Sequence, residues 1–153
     1  MNIAWLYLDK RTAAINALKD FESMNYIIEN TKSEIASTQE GMTSLSRPKL
    51  SDMPKGSHNP RAAENKIVQA MDTISLLNER YQRAIEYMAW FHPAWLALSE
   101  DEQFVLSCFY MSDESRQANG VYDICEYFHI ERTSAYKKKD RALARLALLL
   151  YGK

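Results

Sequence analysis

Apolar residues in this chain recur at helical spacing, and in one stretch at every seventh position, which restricts the fold to helices. Ile67, Ile74, Tyr81 and Met88 form the seven-residue repeat, Met71 and Ile85 fill the alternate positions, and Asn78 sits between them. Such a heptad belongs to a helix packed along another helix. Strand signals are almost absent, so an all-α fold is expected. An earlier stripe of Leu18, Phe21, Ile28 and Ile35, interrupted by Asn25, predicts a partner helix. Thr12 offers it an N-cap, and the helix is expected to run to about Gln39 and stop near Gly41. The second helix is expected from about Arg61 to Trp90, broken by His92-Pro93. Between the two lie Gly41, Pro48, Pro54, Gly56 and Pro60, mixed with Ser, Asp and Asn, a linker or ordered surface loop.

The simplest arrangement is a long antiparallel, coiled-coil-like hairpin over residues 1–95, with its loop near 41–60. Asn25 and Asn78 admit two readings. They are polar seam positions that fix register, or they lie at the solvent edge of a broader stripe.

A second domain is expected over residues 96–153. Ser99 with Glu102 three residues on is a capping box for a helix carrying Phe104, Val105, Cys108, Phe109 and Met111. Ser112 to Gly120 reads as a polar loop, Val121 to Phe128 as a short helix, and Glu131 to about Leu150 as a longer one. The last pair has the makings of a helix-turn-helix. Two helices that cross steeply need small residues at the contact, for which Cys125 and Ala135 serve. They need apolar residues flanking the turn, here Phe128 and Ile130. Ala142 and Leu146 continue the inward stripe.

Charge points the same way. The chain carries a net −1, but Glu131 to Lys153 holds seven basic residues and two acids, a local +5 that leaves −6 for the rest. A basic end on an acidic body is a localised anion-binding surface. On the last helix Arg132, Thr133, Tyr136 and Lys137 point outward, with Asp140 at the margin of the same set, and can meet base edges or phosphates. Thr133 and Ser134 can also hold a phosphate with the backbone N–H groups of the helix start. Lys138, Arg141 and Arg145 are expected on phosphates. The run Lys137-Lys138-Lys139 covers most of the circumference, so at least one of the three must face away from any single groove.

From Leu98 onward these residues resemble region four of bacterial sigma factors. The resemblance is carried by Glu102 with Val105-Leu106, then Ile124-Cys125-Glu126, Phe128-His129-Ile130-Glu131, Ser134-Ala135, and Ala142-Leu143 with Leu146. It departs from that pattern at three places. His129 stands for the turn glycine, Glu131 for the capping serine, and Lys139 at a usually apolar position. Nothing upstream resembles the sigma region that melts the promoter. A long helical amino-terminal part fused to such a module is similar to phage late-transcription activators of the RinA and ArpU type, and the Asp52 to Gly56 loop looks like that group. The resemblance implies a phage- or prophage-encoded transcription regulator that recognises double-stranded promoter DNA and touches RNA polymerase. A homodimer is compatible with it. Two other readings fit a helical chain of this kind: a small-terminase-like packaging protein, and a helical interaction module that never meets DNA.

No enzyme, cofactor or metal is expected. Ser134-Ala135-Tyr136-Lys137 matches an SxxK motif without the partners that acyl chemistry needs. Cys125 and His129, four apart, read as a packing residue and a turn residue before they read as metal ligands. His58 and His92 lie beside prolines, in turns. Cys108 and Cys125 form no CxxC pair, which suits a reducing cytoplasm. Met1 to Leu8 is too short and lacks the basic start of a signal peptide, and no run reaches the roughly 18 apolar residues of a membrane span. Trp5, Trp90 and Trp95 are expected in the core. Ile3, Trp5, Leu6 and Leu8 are candidates to pack on Leu146 to Leu150, a run apolar nearly all round that must be covered.

Overall fold

A computed structural model of the chain describes residues 9–46, 60–112 and 114–152. The protein is all-α, with five helices and no strand among the described residues: α1 Lys10–Ser46, α2 Pro60–Leu96, α3 Glu100–Tyr110, α4 Glu114–Phe128 and α5 Arg132–Tyr151. None of these helices is long and apolar enough to cross a membrane. The residues proposed for packing at Met1 to Leu8, Trp5 among them, lie outside the described residues, as do His58 and the Asp52 to Gly56 loop.

Four element boundaries differ from the sequence expectation, each for a local reason. Asp9, not Thr12, caps α1: its carboxylate accepts from the Thr12 backbone N–H at 3.2 Å and from the Thr12 hydroxyl at 2.7 Å. The helix runs through Gly41 to Ser46. Glycine inside a helix costs only about 1 kcal/mol relative to alanine, too little to end one of 37 residues. Pro93 sits inside α2, which continues to Leu96, with the Ala97 N–H donating to the Pro93 carbonyl at 3.1 Å. Ser112 to Gly120 is not a loop, because α4 already starts at Glu114. The capping box holds: the Glu102 N–H donates to Ser99 Oγ at 3.2 Å, and the Ser99 N–H donates to Glu102 Oε2 at 2.8 Å.

Packing divides the chain into two compact units. The first takes in the described residues up to Met24 and those from Glu86 onward. Its core collects Ala14, Ala17 and Leu18 of α1, Phe91 and Ala94 of α2, Leu98, Leu106 of α3, and Ala142, Leu143, Leu146, Ala147 and Leu150 of α5. Alanines at the α1 contacts let the backbones approach, and the aromatic Phe91 fills the space. The Phe91 ring lies 5.7 Å from Phe21, 5.3 Å from Tyr87 and 6.0 Å from Trp95, centroid to centroid. The Tyr87 hydroxyl donates to the Ala17 carbonyl, and burial, reinforced by the Asp20 charge, pushes its phenol far above the ordinary value. Trp95 packs on this core, but Trp90 is exposed at its edge beside Tyr151, ring centroids 5.6 Å apart, which corrects the expectation of a buried Trp90.

The second unit is Asn25–Ile85. Among the described residues Leu77, Ala84 and Thr31 are its buried side chains, and the Thr31 hydroxyl is satisfied by the Ile27 carbonyl one turn back at 2.5 Å. Arg80 pairs with Glu34 at 2.9 Å. Asn78 is exposed, and the Asn25 amide donates along its own helix to Glu29 at 3.0 Å. Both asparagines therefore behave as edge positions of a broad stripe.

Candidate nucleic-acid interface

Helices α3, α4 and α5 share a small core of Val105, Val121, Ile124 and Ala135, with Phe104, Cys108, Phe109, Cys125, Phe128 and Ile130 packed against it. Gly120 lies where α4 crosses α3. A Cβ at that position would run into the Cys108 carbonyl, so only glycine permits the approach. Read from sequence, Gly120 marked the end of a loop; its actual role is tertiary and had no local signal.

The turn between α4 and α5 is built from its backbone outward. His129 has φ of 54°, the left-handed conformation that glycine adopts most readily. The Ile130 N–H donates to the Cys125 carbonyl at 3.1 Å. A left-handed residue followed by this six-to-one bond is a Schellman ending of α4, and Cys125 and Ile130 on either side of it both pack on the same apolar core. The chain then enters α5 through Glu131, in extended conformation, which makes no side-chain cap bond. The N–H groups of the first turn of α5, beside Thr133 and Ser134, thus receive no cap from Glu131. Neither Thr133 nor Ser134 takes the N-cap position. Cys125 is half-buried in the core while His129 is exposed in the turn.

Helix α5 has two distinct sides. Ala135, Ala142, Leu143, Leu146, Ala147 and Leu150 are buried. Arg132, Thr133, Ser134, Tyr136, Lys137, Arg141 and Arg145 are exposed, and Lys138 is half-buried. Thr133, Ser134, Lys137 and Arg141 share the outer side at helical spacing. Tyr136 sits nearer the protein, its ring 5.7 Å from that of Phe109. Lys138 lays its ammonium 4.5 Å from the Phe128 ring centroid. Lys139 is the lysine of the run that turns inward: its side chain is 15% exposed and its ammonium lies 5.3 Å from both the Phe109 and Tyr136 rings. Lys139 thus buries its stem and places its charge on aromatic faces.

Arg145 is held within the fold. Its guanidinium donates to both carboxylate oxygens of Glu102, at 3.2 and 3.1 Å, and to the Ala97 carbonyl at 3.3 Å. Glu102 therefore caps α3 and anchors α5 at once. Partial burial would raise its carboxyl, but the Ser99 N–H and the Arg145 guanidinium outweigh it and hold the group below its ordinary value. Two further contacts join residues that sequence spacing did not connect. Arg132 stacks over the Tyr122 ring at 5.6 Å, and Arg11 of α1 pairs with Asp140 of α5 at 2.7 Å. The periodicity of one helix carries no information about such cross-element pairs.

No family model, curated protein or solved structure matches this chain.

Proposed function

We propose that α3 to α5 form a region four-like helix-turn-helix that binds double-stranded DNA, and that the chain is a sequence-specific transcription regulator. The observation that carries this reading is the left-handed His129 in a Schellman turn that leads directly into a helix with a polar, basic outer side. A tight turn of this kind lets the second helix project its first turns, and those are the turns that meet base edges in the major groove. Arg132, Thr133 and Lys137 are the groups for bases and flanking phosphates, with Tyr136 at the margin, Ser134 and the first-turn N–H groups on a phosphate, and Lys138 and Arg141 along the backbone. Arg145, engaged by Glu102, has the weakest claim to a phosphate contact. The resemblance extends the proposal to a phage- or prophage-encoded regulator working beside RNA polymerase. Strand opening would fall to that partner.

Retardation of duplex DNA tests the reading. Replacing Lys137 and Lys138 together by Ala is expected to weaken binding and to reduce the slope of log affinity against log salt by about 1.8, two phosphate contacts at ~0.9 each. Unchanged affinity and slope would remove α5 from the interface. The polymerase part is tested separately, by whether polymerase is retained on DNA selected by this protein only when the protein is present.

A further inference from the structure

Asp140 is the sole acid of α5, against six basic residues. It follows Lys137 by three positions and precedes Arg141, so it lies at the edge of the outer side. Its Oδ1 accepts from Arg11 Nη2 at 2.7 Å and lies 3.4 Å from Lys139 Nζ. Arg11 comes from the first turn of α1, 129 positions away in sequence, and its side chain is 60% exposed. Asp9, two residues before it, is engaged with Thr12 in capping α1. Tyr110 at the end of α3 completes the cluster. Burial raises its phenol, and the charges of Arg11 and Asp140 act on it in opposite directions.

We infer that Arg11 is a phosphate-contacting residue of the nucleic-acid surface, supplied by α1 and aimed by Asp140. This rests on the DNA-binding reading and adds an element to it. A helical rise of ~1.5 Å per residue puts Asp140 about 12 Å beyond Arg132 along the axis of α5. That is about the ~12 Å width of the major groove. A helix that inserts its first turns therefore carries Asp140 to the groove wall, where phosphates pass. An unpaired carboxylate there would repel them. Flanked by Arg11 and Lys139, the same position becomes net positive. Guanidinium has five donors in a planar fork, and the bond from Nη2 to Asp140 fixes its plane while its remaining N–H groups can meet a phosphate. As a mere tether the pair would do little, since exposed ion pairs contribute little to stability.

The test uses the full chain and a mixed-sequence duplex, titrated from about 50 to about 200 mM salt. Arg11→Gln is expected to weaken binding at low salt and to flatten the salt slope by about 0.9, so that its gap from the parent narrows about 3.5-fold across that range. Arg11→Lys should restore the slope, and Asp140→Asn should keep it. Thermal melting of each variant shows that it is folded. If Arg11→Gln leaves the slope unchanged while Lys137→Ala flattens it, Arg11 is a tether and the inference fails alone. Loss of affinity and melting temperature together, with no change of slope, overturns it in the same way. If the parent retards no duplex at low salt, the DNA-binding reading falls and the inference with it.

Discussion

His129 does the work usually given to glycine. A side chain in the left-handed region crowds its own backbone, at a cost of about 1–2 kcal/mol for an ordinary residue, and His tolerates the region better than most. His129→Gly is therefore expected to raise stability by up to about 1 kcal/mol, and His129→Val to lower it by more than 1 kcal/mol, because a β-branched side chain suits that region least. Chemical denaturation measures both. Neither change should alter the salt slope of DNA binding, because the His129 side chain is exposed in the turn and outside the basic side of α5. A second prediction concerns Glu102. Its carboxyl titrates below its ordinary value of 4.5 in the folded state, so it contributes stability above the unfolded value, and that contribution is lost as pH falls through the depressed folded value. Glu102→Gln should therefore cost stability at pH 7 and little in strong acid. Denaturation of parent and variant at both pH values would show the difference shrinking; a constant difference would mean that charge is not the cause. Ser99→Ala, which removes the other half of the box, should cost about 1 kcal/mol.

At the scale of elements, the legible features were those written in local chemistry. The capping box of α3, the apolar stripe of α5 and the small residue at Ala135 all follow from spacing within a few residues. What escaped was decided by packing. Gly41 and Pro93 look like breakers, yet both lie inside helices of 37 residues. Gly120 looked like loop material, yet it is the contact that lets α4 approach α3. Gly120→Ala, a change that helix propensity alone would favour by ~1 kcal/mol, is instead expected to destabilise by about 1–3 kcal/mol, because the Cβ must push α4 away from the Cys108 carbonyl. Thermal melting decides the sign. A stabilised variant would mean that the two helices separate without penalty. The candidate site divides along the same line. Which residues of α5 are buried could be read from its period. That Lys139 turns inward onto Phe109, that Arg145 is engaged by Glu102, and that Arg11 reaches Asp140 could not, because each depends on where a second helix lies.

At the scale of the whole molecule, the average charge misleads. A sequence isoelectric point near 6.3 suggests a chain that DNA would repel. Five of its basic groups nonetheless lie exposed or half-buried on α5 and the first turn of α1: Arg132, Lys137, Lys138, Arg141 and Arg11. If all five meet phosphates, one copy of the chain should bind duplex DNA with a salt slope of at most about −4.5, and two copies on paired half-sites with about −9. The slope and the mass of the complex are independent measurements, so together they are decisive. A slope near −4.5 with one chain per duplex fits a regulator that binds as a monomer beside a partner such as polymerase. A slope near −9 with two chains fits a dimer, and its target should then read as a palindrome with half-sites one helical turn apart. A slope much steeper than −9, or a large ring in solution without DNA, would point to contacts beyond this surface and against the regulator reading. Leu148 and Leu149, 52% and 41% exposed at the far end of α5, bear on the choice. If two copies meet there, Leu148→Glu with Leu149→Glu should return the complex to one chain per duplex and halve the slope, while a monomeric binder would keep both.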